Sequence, residues 1–478
     1  MKSRKTIQIW VGIACMALVF SACKSLKVSA KEENTAVPES YYTSQDTVNS
    51  AQLKWKEYFT DENLTALIDT ALANNQELNI LLQEIQIAQN EVMARKGEYL
   101  PFVGAGLGAG VDKVGRHTSQ GAADDVSEIA PGKATPEILP DYMFGVYASW
   151  EVDIWKKLRN AKKSAYNRFL GSVEGKNFMV TQLISEIANS YYELLALDNQ
   201  LTIVKQNIEI QSNALEIVKL QKEATRATEL AVRRFEAEVY HTRSLQFAIE
   251  QDIIETENRI NFLLGRYPQP IARSSDDFLE LMPDSVYVGI PSQLLVNRTD
   301  IRQAEYNLAA SKLDVKVARA QFYPSFTINA GAGFRAFNPS FLVKSPESLI
   351  YSIAGELVAP LINRKAIKAT YYNANAKQIQ AVYSYEQTIL NAYIEVANQV
   401  SNISNLEQSY DYQTKQVEAL NESIDISTNL FKSARADYME VLLTQRDALE
   451  SKFELIETKK RLMNATVNVY RALGGGWN

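Results

Sequence analysis

The sequence predicts a mostly helical chain that carries four short β-strands of membrane-crossing length. Three features lead to that class: two very long stretches without helix breakers, apolar stripes at helical spacing inside them, and four segments that alternate with period two. No proline lies between Pro140 and Pro268 or after Pro360, and no glycine between Gly175 and Gly265 or between Gly355 and Gly474. Such stretches imply helices far longer than the usual ~11–12 residues.

Within the first stretch Leu183, Ile187, Tyr191, Leu194, Leu197, Leu201, Val204, Ile208, Leu215 and Val218 recur mostly at steps of three and four, interrupted by Gln211. Ile389, Tyr393, Val396, Val400, Ile403, Leu406 and Tyr410 do the same in the second. Heptad-like seams of this kind make helices pack side by side with a supercoil. A helix from about Arg159 to Leu220 would extend roughly 90 Å at ~1.5 Å per residue.

The strands are expected at about 102–111, 142–152, 325–335 and 349–358. In the second, Tyr142, Phe144, Val146, Ala148, Trp150 and Val152 share one face, opposite Met143, Gly145, Tyr147, Ser149 and Glu151. In the third, Phe326, Ile328, Ala330, Ala332 and Phe334 lie opposite Ser325, Thr327, Asn329, Gly331, Gly333 and Arg335. In the first, Val103, Ala105, Leu107, Ala109 and Val111 oppose a run of alternate glycines. Each segment is about the 9–11 residues that a tilted strand needs to cross a bilayer. Apolar-out, small-or-polar-in alternation is what a membrane β-barrel requires. A sheet in lipid must close, because an open edge leaves backbone groups unsatisfied. The smallest membrane barrels have about eight strands, so several copies of this chain must share one barrel.

The strands come in two pairs, and the helices repeat with them. Leu78, Ile85, Val92 and Pro101 align without a gap on Ile301, Leu308, Val315 and Pro324. Repeat one covers about 51–268 and repeat two about 285–478, each running helix, proline, strand, loop, strand, long helix pair. The loop from about Asp112 to Asp141 is long, polar and turn-rich, which suits an external barrel loop.

Residues 1–22 read as an export signal. Lys2, Arg4 and Lys5 precede the uncharged apolar run Ile7–Phe20, and Ser21-Ala22-Cys23 closes it. The pattern resembles a bacterial lipobox, which implies cleavage before Cys23 and diacylation of its sulfur, with Phe20 in place of the usual leucine. The only other cysteine, Cys15, would be discarded, leaving no disulfide, Cys-based metal site or Cys nucleophile. His117 and His241, the two histidines, have no ligand spacing around them and read as surface residues. Removing residues 1–22 takes away three positive charges and no negative ones, so the net charge of −6 becomes −9. That excess argues against nucleic acid as a partner. No nucleophile–base pair, metal cluster or phosphate loop supports an enzyme, and no cofactor is expected. Gly104, Gly106, Gly108 and Gly110 keep a strict period of two and belong to a strand.

The stretch from Gly289-Ile290-Pro291 through Arg298-Thr299-Asp300-Ile301-Arg302-Gln303-Ala304-Glu305 to Ala318-Arg319-Ala320-Gln321-Phe322-Tyr323-Pro324-Ser325-Phe326 resembles the signature of TolC-type outer-membrane efflux proteins. More narrowly it resembles the lipoprotein branch that serves resistance-nodulation-division (RND) pumps, which usually has proline where Thr299 stands. Trp150-Glu151-Val152-Asp153-Ile154 and Ala359-Pro360-Leu361-Ile362 match the family's strand-to-helix junctions. The resemblance implies a homotrimer: a twelve-stranded β-barrel in the outer membrane, four strands per protomer, continued by a long α-helical barrel into the periplasm. It implies an exit duct of a tripartite system, working with a periplasmic adaptor (membrane fusion) protein and an inner-membrane RND-type pump.

The family's adaptor-docking tips correspond to two helix-to-helix turns, Thr225, Arg226, Ala227 and Thr228 in the first and Ala434, Arg435, Ala436, Asp437 and Tyr438 in the second. The family commonly has glycine where Thr225 and Ala434 stand. The same residues would also serve simply to cap and connect helices. Asp437 is the candidate periplasmic gate: repeated around an axis, it would form an acidic ring that attracts cations. Arg435 or Arg226 is placed to pair with it, or it is a solvated carboxylate. Two other function classes compete with efflux: an outer-membrane duct of a type I-like protein secretion system, and a coiled-coil lipoprotein that spaces envelope layers. The four alternating strands disfavour the spacer, and the Gly289–Phe326 signature favours efflux over secretion by resemblance.

Overall fold

The computed structural model describes residues 31–41, 48–275, 278–281, 287–362, 364–433 and 435–477. Cys23, the signal segment 1–22 and Ala434 lie outside the described residues. The main helices are α1 (Glu62–Asn74), α2 (Gln76–Tyr99), α3 (Lys157–Glu223), α4 (Glu229–Leu263), α5 (Thr299–Ala320), α6 (Lys365–Lys432) and α7 (Tyr438–Ala472). The main strands are β1 (Phe102–Lys113), β2 (Ile138–Val152), β3 (Ser325–Ala336) and β4 (Leu349–Val358). With 67 and 68 residues, α3 and α6 reach the length that the breaker-free stretches imply. The halves match element by element: α3 against α6, and α4 against α7, at 35 residues each. None of the described helices is long and apolar enough to cross a membrane.

The chain divides into two compact units. One holds a four-stranded antiparallel sheet in the order β1-β2-β3-β4. Both hairpins are local, and the β2–β3 pairing joins strands far apart in sequence, from Tyr142↔Ala336 to Val152↔Phe326. The registers carry one face across all four strands. Leu107 sits opposite Phe144, Phe144 opposite Phe334, and Phe334 opposite Leu349. That face is apolar except at the end of β1, where Lys113 stands, and the Phe144 and Phe334 rings stack with centroids 5.2 Å apart. The other face holds the glycines of β1 and a polar pair, the Ser149 hydroxyl and Asn329 Oδ1, 2.8 Å apart. Tyr147 reaches over Gly104, where an added Cβ would come within 2.6 Å of its ring. The two edge strands are the most exposed: Leu107 is 87% and Ile353 79% accessible.

Between β1 and β2 the chain is more ordered than a plain polar loop. Ser119–Asp125 is a short helix, capped by Thr118, whose hydroxyl accepts from Gly121 N at 3.1 Å. A small hairpin, Glu128–Ala130 with Lys133–Ala134, follows. At the far end of β2 the Asp153 carboxylate, almost fully buried, accepts from Leu158 N at 3.1 Å and Arg159 N at 2.9 Å. It thereby satisfies donors that the first turn of α3 leaves free. Glutamate Glu33 of the N-terminal segment holds Lys312 at 2.7 Å, and Lys31 lies 3.9 Å over the Tyr383 ring.

The other unit is helical. Its main core packs Leu183, Ile187, Tyr191 and Leu194 of α3 against α1, α4 and α7, through residues such as Leu64, Ile68, Ile260 and Tyr470. The Tyr191 hydroxyl donates to Asp61, whose other oxygen caps α1 at Asn63 N and Leu64 N. Gln211, which interrupts the α3 stripe, is completely buried, and neither of its amide atoms has a partner among the described residues.

Candidate functional site

Two regions hold the candidate residues: the sheet, which presents a wall, and the turns at the ends of the helix pairs.

The wall is chemically two-sided. Its apolar face includes Leu107, Val111, Ile353 and Leu357, all strongly exposed in the single chain. Aliphatic area of this kind is stable next to hydrocarbon and costly in water. Its other face mixes glycines and polar groups such as Ser149, Asn329 and Glu356 with larger side chains such as Met143, Tyr147 and Ile350. At one rim Arg335 makes a bidentate pair with Asp141, at 2.8 and 2.9 Å, tying β3 to β2. Toward the other rim Lys157 holds Glu151 at 2.6 Å, and Trp155 stacks on Tyr323 at 4.6 Å while its indole N–H donates to the Pro324 carbonyl.

The first turn ends α3 with a left-handed residue. Thr225 has φ 57°, its N–H donates to Lys222 O at 2.9 Å, and Arg226 N–H donates to Gln221 O at 2.8 Å. This is the double bond pattern that usually closes a helix on glycine. Thr228 then caps α4, its hydroxyl accepting from Ala231 N at 3.2 Å. Lys222 pairs with Glu229, and Arg233 bridges Glu229 and Glu236. In the second turn Arg435 N–H donates to Leu430 O at 2.9 Å, the counterpart of the Arg226 bond, and Asp437 occupies the cap position of α7. There the side chain of Asp437 makes no capping bond.

The candidate residues therefore separate by environment. Ala227 and Tyr438 pack on a small core of Leu215, Val218, Ala231, Val232, Phe235 and Val239, joined by Phe431 and Leu442. They hold the two turns together. Ala436 is half-buried, whereas Thr225, Arg226, Thr228, Arg435 and Asp437 are exposed. Among the described residues Asp437 forms no ion pair with Arg226 or Arg435, so the single chain does not bring that pair together. A different cross-link spans the turns: the Arg234 guanidinium donates to Met439 Sδ at 3.2 Å. Both histidines, His117 and His241, are exposed, and no group of three or more metal-ligating side chains occurs among the described residues.

The sequence placed Arg298 in the family signature but gave it no role of its own. This side chain is buried, and its guanidinium forks onto Asp300 at 3.0 and 2.7 Å and reaches Glu395 at 2.7 Å and the Ala472 carbonyl at 2.8 Å. Burial disfavours its charge, but the Asp300 and Glu395 carboxylates outweigh that and hold the proton more tightly than usual. Arg471 braces Glu395 from the other side at 2.8 Å. The cluster ties the start of α5 to α6 and to the end of α7. The sequence signal was present, since Arg298 stands two residues before its partner Asp300 at a helix start, but Glu395 and Ala472 are far away in the chain.

The model of the family described as outer membrane efflux protein matches residues 67–266 and 290–475. The pyoverdine export outer membrane protein OpmQ of Pseudomonas aeruginosa is 27% identical over 468 residues, covering 98% of this chain and 97% of the relative. The probable outer membrane lipoprotein SilC of Salmonella typhimurium is 25% identical, covering 96% and 97%. The crystal structure of the open state of the Neisseria gonorrhoeae MtrE outer membrane channel superposes with a TM-score of 0.82 at 21% identity, covering 94% of this chain and 98% of that one, which shows a shared fold. With its two-sided sheet, its paired long helices and both matched segments, the chain belongs to the outer membrane efflux protein family and is an outer-membrane channel protein whose role is transport rather than catalysis.

Proposed function

We propose that three copies join their sheets into a single twelve-stranded barrel and act as the exit duct of a tripartite pump, passing small molecules delivered through a periplasmic adaptor from an inner-membrane RND-type transporter. The observation that carries this reading is the sheet itself. It has one largely apolar face, one face that mixes glycines and polar groups with larger side chains, and edges at β1 and β4 that pair with no strand among the described residues. Lipid permits no open edge. Light scattering in detergent should give the mass of three chains, and planar bilayers should show stepwise conductance. A monodisperse monomer without conductance would sink the reading.

Cleavage before Cys23 and its diacylation would add three anchors to the barrel, in line with the lipoprotein name of the SilC relative. Intact-mass spectrometry of the protein from its own membrane tests this; an unmodified Cys23 or a retained signal removes it. The exposed turn residues Thr225, Arg226, Thr228 and Arg435 are the proposed adaptor contacts, with Ala434 and Ala436 in the same turn and Ala227 and Tyr438 supporting them. Asp437, uncapped and exposed, is the proposed acidic ring at the periplasmic mouth. Asp437→Ala should lower cation preference in bilayers, and unchanged ion preference would refute the ring.

A further inference from the structure

We propose a specific seam between copies: β4 of one chain pairs antiparallel with β1 of the next, setting Val111 opposite Ile353, Gly108 opposite Glu356 and Leu107 opposite Leu357. The proposal rests on the multi-copy barrel above and specifies how it closes.

The register follows from the internal repeat, which the structure makes accurate to the residue. In the first part of each repeat the shift is 223 residues. Gln76 and Thr299 begin α2 and α5, and Phe102–Lys113 and Ser325–Ala336 are the first strands. In the second part the shift is 209. The hairpin registers set Phe102 against Ser149 and Ser325 against Val358, so Ser149 corresponds to Val358. The same shift relates the ends of α3 and α6 at Glu223 and Lys432, the starts of α4 and α7 at Glu229 and Tyr438, and their ends at Leu263 and Ala472. The β2–β3 seam is where the second strand of one repeat meets the first strand of the next. In a ring of repeats, the next such meeting is β4 with β1 of another copy. Carrying Phe144↔Phe334 through both shifts gives Ile353↔Val111; Tyr147↔Gly331 gives Glu356↔Gly108; Ala148↔Ala330 gives Leu357↔Leu107.

Two observations agree with this register, neither of them used to derive it. The apolar face stays continuous across the new seam, because the pairs join residues of the same face; a slip of one residue would turn that face into the lumen. The side chains that the seam would cover in pairs are among the most exposed apolar groups of the chain, Leu107 at 87%, Ile353 at 79%, Val111 at 73% and Leu357 at 66%. A slip of two residues keeps the faces, so only experiment separates it.

Cysteine pairs discriminate the registers. Directly opposed residues have Cβ atoms ~4.5–5.5 Å apart, diagonal neighbours ~7–8 Å, and a disulfide needs ~3.5–4.5 Å. Side chains added at Gly108 and Gly110 meet nothing within 4 Å, and at Gly106 only the Tyr147 ring at 3.9 Å. Gly108→Cys with Glu356→Cys should therefore form disulfide-linked multimers in oxidised outer membranes, at least tenfold faster than Gly110→Cys or Gly106→Cys with Glu356→Cys. Val111→Cys with Ile353→Cys supplies a second in-register pair should the first not assemble. Faster linkage by a slipped pair overturns the register. So does failure of all pairs in protein whose mass in detergent is still that of three chains. A monomeric mass for the unsubstituted protein instead removes the multi-copy barrel on which the seam depends.

Discussion

Replacing Arg298 by methionine should weaken the helical unit more than any surface change. The side chain makes four hydrogen bonds from a site where it is 8% exposed, two to Asp300, one to Glu395 and one to the Ala472 carbonyl. Methionine fills similar volume but supplies no donor. It leaves the Ala472 carbonyl, at the end of α7, without this donor and Asp300 without its countercharge. Breaking a buried pair on one side costs about 3–5 kcal/mol. Asp300 and Glu395 are 18% and 28% exposed, and Glu395 keeps Arg471, so the lower end, about 3 kcal/mol, is expected. That lowers the folded-to-unfolded ratio by roughly two orders of magnitude. The assay is urea unfolding in detergent followed by helical circular dichroism. The midpoint should fall while the slope stays constant. Arg298→Lys, which keeps the charge but not the fork, should fall between the two. An unchanged midpoint in Arg298→Met would refute the view that this cluster fastens α5, α6 and α7.

Gln211→Leu should stabilise the chain by about 1–3 kcal/mol, because it removes a fully buried amide with no partner; a lower unfolding midpoint than wild type would contradict this. Leu420 already stands at the corresponding place in the second repeat under the 209-residue shift. Thr225→Gly should slow amide exchange at Thr225 and Arg226, since a β-branched side chain at φ 57° costs about 1–2 kcal/mol that glycine avoids; faster exchange would count against a strained turn. The Glu33 carboxyl is held below its ordinary value of 4.5, first by its hydrogen bond from Lys312. Its contribution is therefore complete above that value and is lost as pH falls through the lower folded value. Proteolysis of the N-terminal segment by an acid protease should accelerate over that window, and Glu33→Gln should abolish the pH dependence.

The sequence by itself determined every feature that is periodic. Breaker-free runs and stripes at steps of three and four gave α3 and α6 their lengths. Alternation between Tyr142 and Val152 and between Ser325 and Arg335 gave strands with a lipid-compatible face. The count of four such strands excluded closure by a single chain. These are local properties, set by backbone geometry within a few residues. Tertiary structure alone decided the non-local ones. The direct β2–β3 pairing, the Arg335–Asp141 clasp, the Glu33–Lys312 contact and the Arg298 cluster join residues scores or hundreds of positions apart, and no spacing rule encodes them. Gln211 shows the same divide: its polarity was legible as a break in a stripe, but its burial without a partner depends on which helices pack around it. The turn residues fall between. Their position was legible from the repeat, while the division into exposed Arg226, Arg435 and Asp437 and core-packed Ala227 and Tyr438 required the small core beneath them.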